Sequence, residues 1–326
     1  MSVTATRAPL RVAFGGGGTD LPSYYREHGG FVVSTAIDRY VQVLVSTSFQ
    51  RRYRLKHLEW EEVDGAEHVR HPILRESLQR HWRGGPIELA SVADAPPGTG
   101  LGSSGAYGVC AIKALKLAGG GDASPDELAE AACEIEIEAL GRAIGKQDQY
   151  ASAFGGVRAY TFNPDNSVDV RRLELSPEVL EALRERFLLF YSGRERSASD
   201  VLAGMGPADA KVRRTLDRLR ELALQTCAAL EAGDLAGCAE LMNESWEAKR
   251  HRAPGTVLPE MDELRDLARR SAGAGVLSLG AGGGGFLLVL SDDPRRTRAA
   301  MDEAGAPELP FGLDGTGCVE LGAPAQ

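Results

Sequence analysis

Between Asp94 and Leu115 the chain reads DAPPGTGLGSSGAYGVCAIKAL, a run of prolines and glycines and a Ser-Ser pair directly ahead of an apolar helical pattern. Small residues ending at a helix N-terminus expose several backbone N–H groups around a concavity, and the helix dipole adds positive potential. Such a loop holds phosphate without a basic side chain. Pro97, Gly98, Gly100, Leu101, Gly102, Ser103, Ser104 and Gly105 form this candidate cradle. A Walker A loop needs Lys-Ser or Lys-Thr after its second glycine, where this chain has Ser103 and Ser104. Gly100 to Gly105 also fits GxGxxG, but a dinucleotide loop of that kind opens its domain, whereas this one lies a third of the way along, behind several strands. Tight strand-to-helix packing accounts for the glycines but not for two adjacent hydroxyls. Those suit donation to a phosphate oxygen or ligation of magnesium, which takes oxygen ligands.

A second polar stretch, EIEALGRAIGKQDQYASAFGG (136–156), follows a helix opened by Ser124-Pro125-Asp126-Glu127, where an N-cap serine, a first-position proline and a capping-box glutamate coincide. The pattern predicts a helix over 124–140. On it Glu134 and Glu138 lie one turn apart on a face opposite Glu136, so they are expected to be solvated or paired while Glu136 points elsewhere. Read alone, Asp148 is a turn aspartate.

The elements that must position these groups are short apolar runs and amphipathic helices. LRVAF (10–14), FVVSTAI (31–37), YVQVLVST (40–47) and IELASVA (87–93) read as strands, the middle two forming a hairpin across Asp38-Arg39. A helix is expected from about 104 to 117, another from Ser176-Pro177, and a boundary near 180 divides the chain into domains 1–180 and 181–326. The second half offers a strand at 187–191, helices around 208–232, 234–251 and 257–272, a glycine run at 280–285 feeding FLLVL, and a helix near 294–304. The pattern is α+β.

At 326 residues the chain suits two domains, and a net charge of −9 without a charged tail gives no field favouring nucleic acid or an anionic membrane. Cys110, Cys133, Cys227, Cys238 and Cys318 are odd in number, far apart and without CxxC or zinc spacing, which points to a reducing cytoplasm and no structural metal. The longest apolar run falls well short of the roughly 20 residues a bilayer span requires, and no secretory leader is evident. A small-molecule enzyme, monomeric or homodimeric, is expected.

PPGTGLGSSGA resembles the second motif of the GHMP kinases, P-x-x-x-G-L-G-S-S-A-A, with Gly105 replacing the first alanine, a mild departure. Three further stretches are similar to that superfamily in the right order. APLRVAFGGGGTDLPSYY (8–25) resembles the first motif, matching Arg11 and Asp20 to its arginine and sugar-binding aspartate. EIEALGRAIGKQDQ resembles galactokinase's E-x-x-x-x-G-x-x-x-G-I-M-D-Q, placing Glu136, Gly141, Gly145 and Asp148 at the same offsets, and LGAGGGGFLLVL (279–290) resembles the third motif. The resemblance implies a two-domain fold, an N-terminal ribosomal-protein-S5-domain-2-like α/β domain and a C-terminal ferredoxin-like α+β domain. It implies ATP and Mg2+, Asp148 as acceptor of the hydroxyl proton with Arg11 keeping it ionised, and Ser104 with Glu136 as metal ligands. For the substrate it implies Gly16, Gly17, Thr19, Asp20, and Gly282, Gly283 and Gly284 of the closing glycine loop.

GGGGTDLPSYY, GKQDQYASAFGG and GAGGGGFLL are most similar to the D-glycero-D-manno-heptose 7-phosphate kinase branch, which phosphorylates an anomeric hydroxyl. Gly17 stands where galactokinase has a glutamate on the sugar's exocyclic hydroxyl, leaving room for a larger, anionic substituent; Arg196 and Lys249 are the candidate cations for its phosphate, against the alternative that they are solvated. Leu277 occupies the position of the third motif's usual lysine, which favours an unphosphorylated sugar, as in a fucose-type anomeric kinase, with Arg194 as a conjectured replacement. A non-catalytic sensor is the third reading, opposed by the presence of Glu136 and Asp148.

Overall fold

Two long strands, Val3–Gly15 and Gly30–Ser46, pair antiparallel along nearly their whole length and form the spine of an eight-stranded sheet. The computed structural model describes residues 3–47, 51–194, 210–252, 257–280 and 284–322. The second strand is the hub: its first half pairs with Val157–Phe162 and its second half with Glu88–Ala93. Glu88–Ala93 continues the sheet through Tyr53–Lys56, a parallel neighbour, to Trp60–Val63. Along Val3–Gly15 burial alternates at first and is then continuous from Ala8, because that half is covered on both faces.

The hairpin expected at Asp38-Arg39 is not formed. FVVSTAI and YVQVLVST are one strand, and Asp38-Arg39 is a bulge in it: Pro9 faces Tyr40, the next residue Leu10 faces Ile37, and the two between have no partner across the ladder. Pro9 has no N–H to give the ladder, so the irregularity falls there. Asp38 bonds sideways instead, its N–H to the Gly312 carbonyl (3.0 Å) and its carboxylate to the Gly312 N–H (2.6 Å).

Helix Ser103–Ala118 packs on both long strands, and helix Ala210–Ala232 reaches the same pair from the second half of the chain. The capping box at Ser124 and Glu127 is present, but the helix it opens is α only over Pro125–Cys133. Residues Glu134–Ala139 form a π turn, with the Leu140 N–H bonding the Ile135 carbonyl. The wider turn buries neighbouring Ile135 and Glu136 together, a combination often found at functional positions.

The second sheet has Phe286–Ser291 at its centre, antiparallel to Phe187–Tyr191 and Gly273–Ser278. Its central strand alternates between two cores: Leu287 and Val289 pack with Trp246 and Met261, whereas Phe286, Leu288 and Leu290 join the large core shared with the first sheet. That shared core binds the two halves. Helix Pro177–Glu185 runs across residue 180, and Val319–Glu320 returns to pair with Val3–Gly15, so the chain's last strand belongs to the first sheet. Helices Leu235–Arg252, Pro259–Arg270 and Pro294–Glu303 complete the second half; among the described residues no helix is long and apolar enough to cross a membrane. All five cysteines are buried and none forms a disulfide.

Candidate active site

Arg11 projects from the continuously buried half of the first strand, is 3% exposed, and donates through Nε (2.8 Å) and Nη2 (2.6 Å) to one oxygen, Oδ1, of Asp148. Its third donor, Nη1, meets the Gly100 carbonyl, and its own N–H bonds the Leu101 carbonyl (3.0 Å). The strand thus fastens the phosphate loop and the carboxylate together. Asp148 lies in the first turn of helix Gln147–Phe154 and remains 29% exposed.

The loop itself turns on Gly102, whose φ of 76° is left-handed and which caps helix Ser103–Ala118. A Cβ there would press on Arg11 Cγ and Asp148 Cγ, both at 3.2 Å. Gly105 is closer still: a Cβ would stand 2.8 Å from Asp148 Cβ and 2.9 Å from the Gln149 nitrogen. What reads as a mild departure in sequence is therefore a tight helix contact that sets the position of Asp148. Gly105→Ala is expected to cost about 1–3 kcal/mol by overpacking and to lower kcat by at least about tenfold through displacement of Asp148. Calorimetry and initial rates check this, and wild-type values in both would remove Gly105 from the account.

Glu136 is fully buried. Its Oε2 accepts from Ser104 Oγ and from Arg142 Nη1 (2.8 Å), and its Oε1 accepts from Gln149 Nε2 (2.8 Å). Burial holds its carboxyl above the usual glutamate range, with the Ser104 bond opposing and the Asp148 charge adding. Glu134 and Glu138 point away as expected, pairing with Arg80 (2.9 Å) and Arg26 (3.0 Å). A hydroxyl and a carboxylate oxygen in contact are suitable hard donors for magnesium, which keeps its remaining positions for phosphate and water. Arg142 Nη1 donates to both of the same oxygens, Ser104 Oγ at 3.1 Å, so a cation held there competes with its guanidinium. Arg142 was not legible as a site residue: only its place just after Gly141 in the polar stretch distinguishes it.

Beyond Ser103 and Ser104 opens a pocket of 590 Å3, bordered by Pro97 and Arg142 and walled by Leu58, Val92 and the rings of His57, His71 and Tyr107. The ring centroids of His71 lie 4.9 Å from both His57 and Tyr107. Burial pushes His71 down to about 4, so it is neutral near pH 7 and presents an apolar face. These walls come from four separate segments, and no periodic signal links them in the sequence. Gly98, Gly100 and Leu101 do not border this pocket; Gly100 packs against the third motif, where a Gly280 Cβ would stand 2.8 Å from Gly100 Cα, and the Phe286 N–H bonds the Thr99 carbonyl (3.1 Å).

On the other side of Asp148 lies Asp20, 2% exposed, accepting from the Gly18 N–H (2.9 Å), the Gln147 N–H (3.1 Å) and Gln147 Nε2 (3.1 Å). Burial and the Asp148 charge hold its carboxyl above the usual range, against these backbone bonds. Gly17 is open: a Cβ there would meet only Gln147 Nε2, at 3.8 Å. Gly16 is backbone-locked, with φ 88° and the Phe31 carbonyl 2.0 Å from a would-be Cβ. Thr19 is fully buried and its hydroxyl is engaged by the Gly16 and Phe31 carbonyls (2.8 and 2.9 Å), so it clips the loop rather than facing a ligand. Lys249, 7% exposed, reaches the carbonyls of Ser278 (2.7 Å) and Gly280 (3.4 Å) across a recess bordered by Gly15, Gly16 and Gly17. Leu277 borders the same recess, whereas Arg194 pairs with Glu260 (3.2 Å) at the surface and does not replace the missing lysine. Gly284 stands against Arg194. Arg196, Gly282 and Gly283 lie outside the described residues.

Residues 69–156 match the model of the GHMP kinases N terminal domain and residues 227–306 that of the GHMP kinases C terminal domain. The chain is 26% identical over 315 residues to a D-glycero-alpha-D-manno-heptose 7-phosphate kinase of Campylobacter jejuni, covering 91% of each. It is 24% identical to a bifunctional fucokinase/GDP-fucose pyrophosphorylase of Arabidopsis thaliana, covering 90% of this chain and 30% of that longer protein. Among solved structures it superposes on a D-glycero-D-manno-heptose 1-phosphate kinase from Bacteroides thetaiotaomicron with a TM-score of 0.80 at 22% identity, over 99% of this chain and 100% of the other. A Lactococcus lactis galactokinase complexed with galactose gives a TM-score of 0.75 at 20% identity, over 98% and 95%. With both domain models matched in order, and with the glycine loop and the Arg11–Asp148 pair brought together, the chain belongs to the GHMP kinases, phosphotransferases that act on an alcohol group.

Proposed function

We propose that this kinase transfers the γ-phosphoryl group of ATP to the anomeric hydroxyl of D-glycero-D-manno-heptose 7-phosphate, giving the 1,7-bisphosphate for nucleotide-activated heptose synthesis. The observation that carries this reading is the open space beside Gly17, where a Cβ would meet only Gln147 Nε2 at 3.8 Å, so no side chain fills the acceptor side next to Asp20. The resemblance to the Campylobacter heptose 7-phosphate kinase over 91% of both chains supports it. Residues 1–180 would hold both the nucleotide loop and the base.

In this reading the acceptor hydroxyl gives its proton to Asp148, its oxygen forms the new bond to the γ-phosphorus, and the bond from that phosphorus to the β–γ bridging oxygen breaks. Arg11 holds Asp148 aligned; the N-terminus of helix Ser103–Ala118 and Ser103 receive the donor phosphates. Ser104 and Glu136 would hold Mg2+, which when bound neutralises phosphate charge. Asp20 and Gly17 receive the sugar and Lys249 its phosphate, with Arg196, outside the described residues, as the second candidate cation. The alternative, a fucose-type anomeric kinase, is favoured by one observation: Leu277 places an apolar side chain at the recess where the family's lysine stands.

Incubation with ATP, Mg2+ and a panel of sugars and sugar phosphates decides between them. A bisphosphate with a 31P signal coupled to the anomeric proton is expected from the heptose 7-phosphate, and turnover of unphosphorylated sugars alone rejects the first reading. A raised carboxyl at Asp20 means that the neutral form persists to a pH above its ordinary 3.8, and a neutral acid is a poorer acceptor of sugar hydroxyls. Acceptor KM is therefore expected to climb as pH falls through that raised value. A KM flat down to pH 4 would remove Asp20 from sugar binding.

A further inference from the structure

Three polar atoms around the Lys249 recess are buried without a hydrogen-bond partner among the described residues: Ser245 Oγ, Ser278 Oγ and Gln147 Oε1. Ser245 is 2% exposed and Ser278 fully buried. A buried hydroxyl without a partner is costly, and native proteins rarely keep several at one place unless something binds there. Ser245 and Lys249 lie one turn apart on the same side of helix Leu235–Arg252, facing the Gly15–Gly17 loop. Ser278 comes from the end of strand Gly273–Ser278, and Gln147 bridges to the acceptor side through its amide nitrogen on Asp20. The recess is tight, with room for about one water molecule, 10 Å3. Leu277 leaves its wall without a lysine, so polarity there must come from these neighbours.

We infer that Ser245, Ser278 and the Gln147 carboxamide form a specificity pocket that takes one oxygen of the acceptor's substituent, a hydroxyl or a single phosphate oxygen, beside the Lys249 ammonium. This rests on the reading of the Gly17 side as the acceptor site. The two serines determine which acceptor is used and take no part in proton transfer. Because their hydroxyls have no partner to lose among the described residues, removing them does not harm the free enzyme.

The test measures acceptor KM, ATP KM, kcat and the melting temperature of the ligand-free protein for wild type, Ser245→Ala and Ser278→Ala, with a heptose 7-phosphate and the unphosphorylated heptose as separate arms. Each variant is expected to raise KM for the preferred acceptor about tenfold, with kcat and ATP KM within about twofold and the melting temperature unchanged or higher. A loss confined to the phosphorylated sugar assigns the oxygen to phosphate; an equal loss on both assigns it to a hydroxyl. Acceptor KM unchanged in both variants, or a lowered melting temperature in either, overturns the pocket. Should the wild type use only an unphosphorylated sugar, the heptose 7-phosphate reading fails, and the serine effects on that sugar's KM still decide the pocket.

Discussion

An Asp148→Asn enzyme is expected to bind nucleotide and acceptor within a few-fold of wild type while kcat falls by about 10²–10⁴-fold. Both guanidinium bonds from Arg11 end on Oδ1, so asparagine keeps an oxygen for them and the local geometry survives. What asparagine loses is the second carboxylate oxygen of a side chain that is 29% exposed, and with it the base that would receive a hydroxyl proton. Phosphoryl transfer asks little covalent work of the protein, so a misplaced or missing base shows chiefly in kcat. Pre-steady-state rates with ADP binding by calorimetry separate the two effects. Turnover within about tenfold of wild type would reduce Asp148 to a positioning group.

Arg11→Met should carry the second large effect, on stability and on rate together. The guanidinium is 3% exposed and joins Asp148 to the Gly100 carbonyl, so its removal strands a half-buried carboxylate and takes away one of the bonds that tie the loop to the first strand, the backbone bond to Leu101 remaining. Breaking a buried pair by deleting one partner costs about 3–5 kcal/mol; the exposure of Asp148 puts this one toward about 3. An Asp148 without its guanidinium partner is also no longer held in line with the acceptor, so kcat should fall by about 10²-fold or more. Arg11→Met combined with Asp148→Asn is expected to be no slower than Asp148→Asn alone, because the two residues act as one unit. Multiplicative losses in that four-protein cycle would show that Arg11 acts on the phosphates independently.

Most of the candidate nucleotide and base groups lie in one stretch of the chain, and local rules reached them. Glycines with two hydroxyls at a helix start, the capping box at Ser124 and the spacing from Glu136 to Asp148 are short-range features, governed by backbone sterics and helix period. Where the sequence reading failed, the competing influence was long-range. Asp38-Arg39 has turn character, yet pairing along the long strand Val3–Gly15 and the bonds to Gly312, far along the chain, hold it as a bulge. The helix read over 124–140 widens into a π turn so that Glu136 meets Ser104 and Gln149.

By itself the sequence determined the α+β class, marked the candidate phosphate loop and the Arg11–Asp148 and Ser104–Glu136 partners through motif resemblance, and set the outward direction of Glu134 and Glu138. Each depends on residues a few positions apart or on a short pattern. Tertiary structure alone decided that Gly105 is a contact with Asp148, that Arg142 faces both candidate metal ligands, that Thr19 clips a loop, and that Ser245, Ser278 and Gln147 converge on one recess. Those are meetings of side chains from distant segments, fixed by how the shared core packs the two sheets together, and no local periodicity encodes them.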